Sequence, residues 1–331
     1  MALKGKTHKF KQPYQSTSNV NANAFMIQHF NEFISDKESI GLVADTIRAY
    51  KVTYEKFTDY FDDRAELAGD IHPSMFREWR VAMRAEGLAA ATVNHHLGGI
   101  RAFMYWCMDT ERSYLPYFKI QLTKSQEEPP KDYTIEEVTK LLKMPTSKKF
   151  TEWRSWLVAS FVIGTGARLS TVIEIRMCDI DWKNSKVHYR HTKNKKVQLA
   201  NIPPQLLKSL EKFKGMWRKN ADDEEYLFCT VSGDKMSRHS LKAAYSKYAN
   251  DRGVKKTSMH GLRHTFAREW YLNGGDVIQL SKILGHSTIK MSERYMNIYA
   301  DTAQDKFNQF NPLENITKSR GRARKGVQLT E

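Results

Sequence analysis

His260, Arg263 and His264 stand three and four positions apart, so in a helix they share one face. A third histidine, His286, sits after the glycine of Leu284-Gly285-His286, and Tyr295 follows nine residues later. A cation, imidazoles and a phenol within one short stretch suit chemistry on a phosphate ester. Metal binding is the rival reading, since His260 and His264 have H-x3-H spacing, and His188 and His191 have H-x2-H spacing. The glutamate of an HExxH site is missing, however, and Arg263 places a cation among the would-be ligands. No metal is therefore expected.

The elements that would hold these groups follow from apolar spacing. Leu262, Phe266, Trp270 and Tyr271 predict a buried side for the His260 helix, and Asn273-Gly274-Gly275 predicts its end. A second short helix is expected from Asp276 to Leu284. A third starts near Ser287 or Thr288 and carries Tyr295. Upstream, an apolar helix over Glu152 to Ile163 breaks at Gly164-Thr165-Gly166, and another begins near Ser170, which puts Arg168 just before a helix start. Taken alone, Arg168 is expected to pair with a carboxylate, with Glu174 or Asp179 in reach. DIDWKNSKVHYR and KVQLANIP alternate as strands with turns at 183–186 and 192–196, predicting a small antiparallel sheet of three strands. Further helices are expected over Pro204 to Trp217, Arg238 to Asp251 and Ala303 to Phe310.

The chain has 331 residues, of which 40% are hydrophobic, enough for two domains with buried cores. Its formal net charge of +16 points to a polyanionic partner, most commonly nucleic acid. Cys107, Cys178 and Cys229 lack a CxxC spacing, so neither a zinc knuckle nor a disulfide framework is indicated, and Cys107 and Cys178 are expected to be small core residues. The opening MALKGKTHKFKQPYQ has no apolar h-region, and no apolar run reaches membrane-spanning length. An intracellular protein is expected, cytoplasmic and nucleoid-associated, without a membrane partner.

Before the phosphate-chemistry stretch lies a separate region with four stretches of helical period and no internal repeat. Phe25, Met26, Phe30 and Phe33 mark the first; Ile47, Tyr50, Tyr54 and Phe57 the second. Met75, Phe76, Trp79 and Met83 mark the third, and Val93, Leu97, Ile100, Phe103 and Met104 the fourth. Thr46, Arg48 and Lys51 on the second helix, and Thr92, Asn94, His95 and Arg101 on the fourth, lie off the apolar stripe. That face is either solvated or laid against DNA. Tyr114-Leu115-Pro116 breaks the pattern, and SQEEPPKD has a linker composition. A capping box, Thr134 to Glu137, opens the next domain. The expected division is a basic arm over 1–20, a four-helix bundle over 21–110, a linker over 111–132, an α+β domain over 133–315 and a basic tail over 316–331. The fold class is mainly α with a small antiparallel sheet.

Arg168 in GTGARLS, Lys193 in HTKNKKVQL, His260-x-x-Arg263 in HGLRH, His286 in LGHS and Tyr295 together resemble the active site of the tyrosine recombinases, the phage-integrase and Xer family. The resemblance covers the whole second domain, and the bundle is similar to that family's core-binding domain. It implies a site-specific recombinase or integrase of a mobile element that cleaves and rejoins DNA through a covalent 3′-phosphotyrosine, with no metal, ATP or other cofactor. In that scheme Arg168 and Arg263 grip the phosphate and Tyr295 attacks it. His260 takes the phenol's proton, Lys193 protonates the departing 5′-oxygen, and His286 hydrogen-bonds the phosphate. Three positions depart from the family pattern or leave alternatives. Thr171 stands where the family usually has an acidic residue, with Glu174 one turn later. Lys195 and Lys196 crowd the hairpin of Lys193. Tyr299 is a rival nucleophile one turn beyond Tyr295.

The implied partners are double-stranded DNA, held in a two-domain clamp, and further copies of the chain in a tetramer. An accessory DNA-bending or directionality factor is a further implied partner. The helix over Ala303 to Phe310 either docks on a neighbour or packs on its own domain. Two other functions fit the same residues: type IB topoisomerase-like relaxation, and a catalytically silent DNA-binding regulator. The intact nucleophile and both arginines argue against the second.

Overall fold

The computed structural model describes residues 23–109, 111–124, 132–190, 198–286, 288, 289, 291–293 and 295. Lys193, Lys195 and Lys196, Tyr299, the helix expected at 303–310 and the two basic tails lie outside the described residues. The chain divides into two compact units, with the boundary between Glu127 and Glu128.

The first unit holds α1 (Met26–Ser39), α2 (Ala44–Phe61), α3 (Pro73–Ala85) and α4 (Ala90–Cys107). Pro73 occupies the first turn of α3, where its missing N–H costs no hydrogen bond and its fixed φ suits the helix. The apolar stripes meet in an aromatic core. The Phe30 ring stacks on Tyr54 with centroids 3.9 Å apart, and Phe103 meets both edge-on at 5.2 and 5.6 Å. Such pairs add about 0.5–1.5 kcal/mol each beyond the area they bury.

Residues 111–124, read from the sequence as the start of a linker, pack on this bundle instead. Leu115 and Ile120 are 3% and 2% exposed and belong to its core, with Tyr114 and Phe118 packed beside them. The backbone of the segment is also tied down. The Thr123 amide donates to Asn94 Oδ1, and Asn94 Nδ2 donates to the Thr123 carbonyl, both at 2.8 Å. The Ile120 amide donates to the Tyr105 hydroxyl at 3.2 Å. An extended segment without helical period reads as a loop, yet its apolar side chains still find a groove to fill. Asn94, expected on the DNA face, spends its amide on this pairing. Arg48, Lys51, Thr92 and His95 are exposed, Thr46 is half-buried, and Arg101 is half-buried with its guanidinium 5.9 Å from the Tyr105 ring.

The second unit is built around α6 (Phe150–Thr165), an apolar helix whose Leu157, Val158, Ala159 and Phe161 are all fully buried. It is preceded by α5 (Ile135–Leu142), which opens with the expected capping box. Thr134 Oγ1 accepts from the Glu137 amide at 3.2 Å, and Glu137 Oε2 accepts from the Thr134 amide at 2.9 Å. There follow α7 (Leu169–Val172), β1 (Ile180–Asp181), β2 (Lys186–Tyr189), β3 (Gln198–Asn201), α8 (Pro204–Trp217), α9 (Arg238–Asp251), α10 (Met259–Leu272) and α11 (Val277–Leu284). Helices α5, α8, α9 and α10 all pack on α6. The strands form an antiparallel sheet in the order β1-β2-β3, with Val187 opposite both Ile180 and Ala200. Val187 and Tyr189 face the core and His188 faces out, the alternation expected of a half-buried strand.

Cys178, expected in the core with Cys107, is half-buried beside Glu224 and Arg190, whose Nη2 lies 3.1 Å from its sulfur; Cys107 and Cys229 are buried. Among the described residues, no helix is long and apolar enough to cross a membrane.

Candidate active site

Two helices end in glycine turns, and the site is assembled on their carbonyls. Helix α6 ends at Gly166 (φ 66°) and α11 at Gly285 (φ 58°), both in the left-handed region that favours glycine. Space demands glycine as well. A Cβ on Gly166 would lie 2.7 Å from the Phe266 ring, and one on Gly285 would lie 2.8 Å from Gln198 Oε1. The last carbonyls of a helix lack partners within it and carry the negative end of its dipole, so they attract donors and cations.

Here those donors are the candidate residues. Arg263, 4% exposed on α10, donates from Nη1 to the Gly166 carbonyl at 2.6 Å and from Nη2 to the Leu284 carbonyl at 2.7 Å. It therefore pins the ends of α6 and α11 together. Arg168, at the entrance to α7, donates from Nη2 to the Gly285 carbonyl at 3.0 Å. Gln198 Nε2 supplies the Lys282 and Ile283 carbonyls at 3.0 and 2.8 Å. Sequence reading did not single out Gln198, because an amide at the start of a strand carries no motif. Its bonds tie the start of β3 to the end of α11.

The carboxylate partners expected for Arg168 are engaged elsewhere. Glu174 pairs with Lys235 Nζ at 2.6 Å and Asp179 with Arg190 Nε at 2.5 Å. Among the described residues neither Arg168 nor Arg263 forms a salt bridge. Each guanidinium has five N–H donors, of which Arg263 spends two and Arg168 one on carbonyls, leaving three and four for a ligand. Burial and the neighbouring Arg168 push Arg263 down to about 10, and burial lowers Arg168, yet both remain cations at neutral pH. Partly dehydrated cations with their charge uncompensated make an anion site.

The imidazoles feel the same field. Burial, then Arg263 and Arg168, lower His260 from its ordinary value. Burial leads for His286 too, followed by the two arginines, His264 and His260, and holds it down at about 4. Both rings are thus neutral at pH 7. His286 Nδ1 lies 2.7 Å from the hydroxyl of Ser292, a fully buried residue three positions before Tyr295. Met291, Ser292, Glu293 and Tyr295 are helical, as expected for the element carrying the tyrosine.

The Tyr295 ring is 4% exposed and packs with Ala267, Leu280 and Leu284, alongside Phe266 and Trp270. The buried residues of α10 are Met259, Gly261, Leu262, Arg263, Thr265 and Ala267, while Phe266, Trp270 and Tyr271, expected on its buried side, are only half-buried. The tyrosine hydroxyl lies 2.6 Å from Nδ1 of His264, and the His264 ring stands between Tyr295 and His260, 4.3 Å from the latter between centroids. So Arg168, His260, Arg263, His286 and Tyr295 come together in one cluster. His264, which the sequence placed on the same helix face but gave no role in the reaction, joins them at the hydroxyl itself.

Comparison with known proteins agrees with this architecture. Residues 131–301 match the model of the phage integrase family, and residues 27–111 match that of the phage integrase N-terminal SAM-like domain. The tyrosine recombinase XerD of Listeria monocytogenes is 24% identical over 294 residues, covering 87% of this chain and 98% of the relative. The tyrosine recombinase XerA of Pyrococcus furiosus is 27% identical over 289 residues, covering 86% and 94%. Among solved structures, the Tn1549 transposon integrase in complex with transposon right end DNA shares the fold with a TM-score of 0.67 at 19% identity, over 82% of this chain and 94% of that one. A lambda integrase dimer bound to a COC′ core site does so with a TM-score of 0.66 at 14% identity, over 82% and 95%. With a family model matching more than half of its length, the chain belongs to the phage integrase family, the site-specific tyrosine recombinases, and is a recombinase enzyme.

Proposed function

We propose that this recombinase cleaves and rejoins duplex DNA through a covalent 3′-phosphotyrosine at Tyr295, with no metal or ATP. The observation that carries the reading is the convergence of two arginines, without a salt bridge among the described residues, with the histidines and Tyr295 in one cluster. Arg168 and Arg263 have donors to spare for the non-bridging oxygens, and their charge offsets what builds up on the phosphorane. His286, neutral at pH 7, hydrogen-bonds the phosphate. His260, also neutral, is in the form that can accept a proton within the cluster. Lys193 is the general acid that protonates the 5′-oxygen. The phosphotyrosine conserves the energy of the broken bond, so rejoining needs no ATP.

The exposed Arg48, Lys51, Thr92 and His95 give the first unit a polar face for phosphates, and the net charge of +16 makes DNA affinity fall steeply with salt. Two of the solved relatives are complexes with DNA, which supports duplex DNA as the partner here; a tetramer of the chain would then join two duplexes.

The test is a covalent trap. Wild-type protein is incubated with genomic DNA, and the DNA that remains attached after denaturation is sequenced. A duplex of the recovered sequence is then nicked a few nucleotides 3′ to the scissile phosphate. Wild-type protein is expected to accumulate a DNA adduct on it and the Tyr295→Phe variant none. An adduct that persists in Tyr295→Phe refutes the assignment. Relaxation of plasmids lacking the recovered sequence would favour a topoisomerase instead.

A further inference from the structure

Among the described residues, the hydroxyl that must lose a proton lies within hydrogen-bond distance of the His264 imidazole, which is not the one the sequence pointed to. We propose that His264 is a catalytic residue, the base that takes the Tyr295 proton in cleavage and returns it in rejoining. This rests on Tyr295 being the nucleophile.

The geometry is that of a base on its acid. Nδ1 of His264 and the tyrosine hydroxyl are 2.6 Å apart, within the reach general-base catalysis needs. A neutral imidazole with its proton on Nε2 offers Nδ1 as an acceptor, and the phenol then donates to it. Both residues sit on packed elements. His264 lies mid-way along α10, next in the chain to the buried Arg263, and Tyr295 is wedged into its apolar cluster. The titratable and charged groups around His264 include His260 on the same helix, Tyr295, and His286 of the turn after α11, with Arg263 and Arg168 in the same cluster. His260, four residues earlier on α10, is one ring further from the hydroxyl. That position lets it meet the phosphate or relay a proton, while His264 does the first transfer.

The step balances. In cleavage the bond from Tyr295 Oη to phosphorus forms and the bond from phosphorus to the 5′-oxygen breaks. The phenol proton moves to His264 Nδ1, giving an imidazolium, and the 5′-oxygen leaves with the proton of Lys193. In rejoining the 5′-hydroxyl attacks phosphorus and gives its proton back to Lys193. Tyr295 Oη departs and recovers its own from His264.

The test uses the full chain and the nicked duplex described above. His264→Asn keeps a hydrogen-bonding atom near Nδ1 but cannot be protonated there. Adduct formation at pH 7 is expected to slow by about 10²-fold or more, with duplex binding in a gel shift unchanged. The deficit should shrink as pH rises toward the ordinary range of a phenol, about 10. It should also recover about tenfold when Tyr295 is replaced by a trifluorotyrosine, whose more acidic phenol needs less help from a base. His264→Asn cleaving within about threefold of wild type overturns the proposal. A loss relieved neither by pH nor by the fluorinated phenol does so too, because a merely structural residue would behave that way. An independent reading comes from wild-type protein. Nitrogen-15 shifts of the His264 ring should show Nδ1 unprotonated and Nε2 protonated, and the reverse tautomer overturns the assignment whatever the variant does. The absence of any wild-type adduct, or one surviving Tyr295→Phe, removes the nucleophile and this proposal together. An adduct normal in wild type and in His264→Asn removes this proposal alone.

Discussion

His286 gives the site a pH signature that can be worked from the structure. The ring is half-buried among Arg168, Arg263, His260 and His264, and it sits at about 4 against an ordinary value of 6.5. Between those two values the unfolded chain binds a proton that the folded site refuses. Stability is therefore whole above pH 6.5 and is lost as pH falls toward 4. The difference of about 2.5 pH units at 1.36 kcal/mol each gives about 3.4 kcal/mol, trimmed to about 2 by the solvent reaching a half-buried ring. An anion in the site reverses the field, so binding inorganic phosphate or a phosphodiester must raise His286 and take up a proton below pH 6.5. The measurement is an NMR titration of the histidine ring protons in the full chain, with His286→Asn identifying the resonance. His286 should stay neutral from pH 8 down to about 5 in the DNA-free protein. Its midpoint should move upward in Arg168→Ala, which removes one of the depressing cations, and upward again with phosphate. A midpoint between 6 and 7 in the free wild-type protein, unmoved by Arg168→Ala, would refute the picture of a dry cationic pocket.

Other substitutions probe the framework around it. Arg263→Lys keeps the charge but cannot serve both the Gly166 and Leu284 carbonyls, so one loses a charged donor. The cost is about 1.5–3 kcal/mol. Calorimetry should show the second unit melting lower by about 2–4 °C per kcal/mol, and an unchanged transition would show that the two helix ends are held by something else. Gly285→Ala is expected to cost about 1–2 kcal/mol for its backbone conformation alone. It should also drive Gln198 from the Lys282 and Ile283 carbonyls, so faster hydrogen exchange in the last turn of α11 and slower adduct formation should appear together. Gln198→Ala should reproduce the second effect without the first cost. Leu115→Ala, at a core position 3% exposed, is expected to destabilise the first unit by about 2–4 kcal/mol in urea unfolding. A change below about 0.5 kcal/mol would mean that 111–124 behaves as a linker after all.

Helical periodicity made most of the architecture legible. The apolar stripes of α1 to α4, the capping box of α5 and the alternation of Val187, His188 and Tyr189 are local signals, and local signals survive in a sequence. The basic groups were legible for the same reason, since three- and four-residue spacing puts His260, Arg263 and His264 on one face whatever the fold. What they face was not legible. Glu174 and Asp179 looked like partners for Arg168 because they are near in the chain, but they point to Lys235 and Arg190, and the guanidinium turns to Gly285 instead. Backbone carbonyls leave no trace in a motif. Yet the last three carbonyls of α11, from Lys282 to Leu284, and that of its cap Gly285 are what Gln198, Arg263 and Arg168 bond. This arrangement has a consequence for the chemistry. An arginine already fixed by a helix end need not be ordered when the phosphate arrives, so its charge is aligned before the reaction begins. The same reasoning explains why a carboxylate at the position of Thr171 can be absent. A buttress that orients Arg168 through charge is redundant where the negative end of α11 already holds it, at the smaller electrostatic cost of a dipole rather than a full anion beside the substrate phosphate.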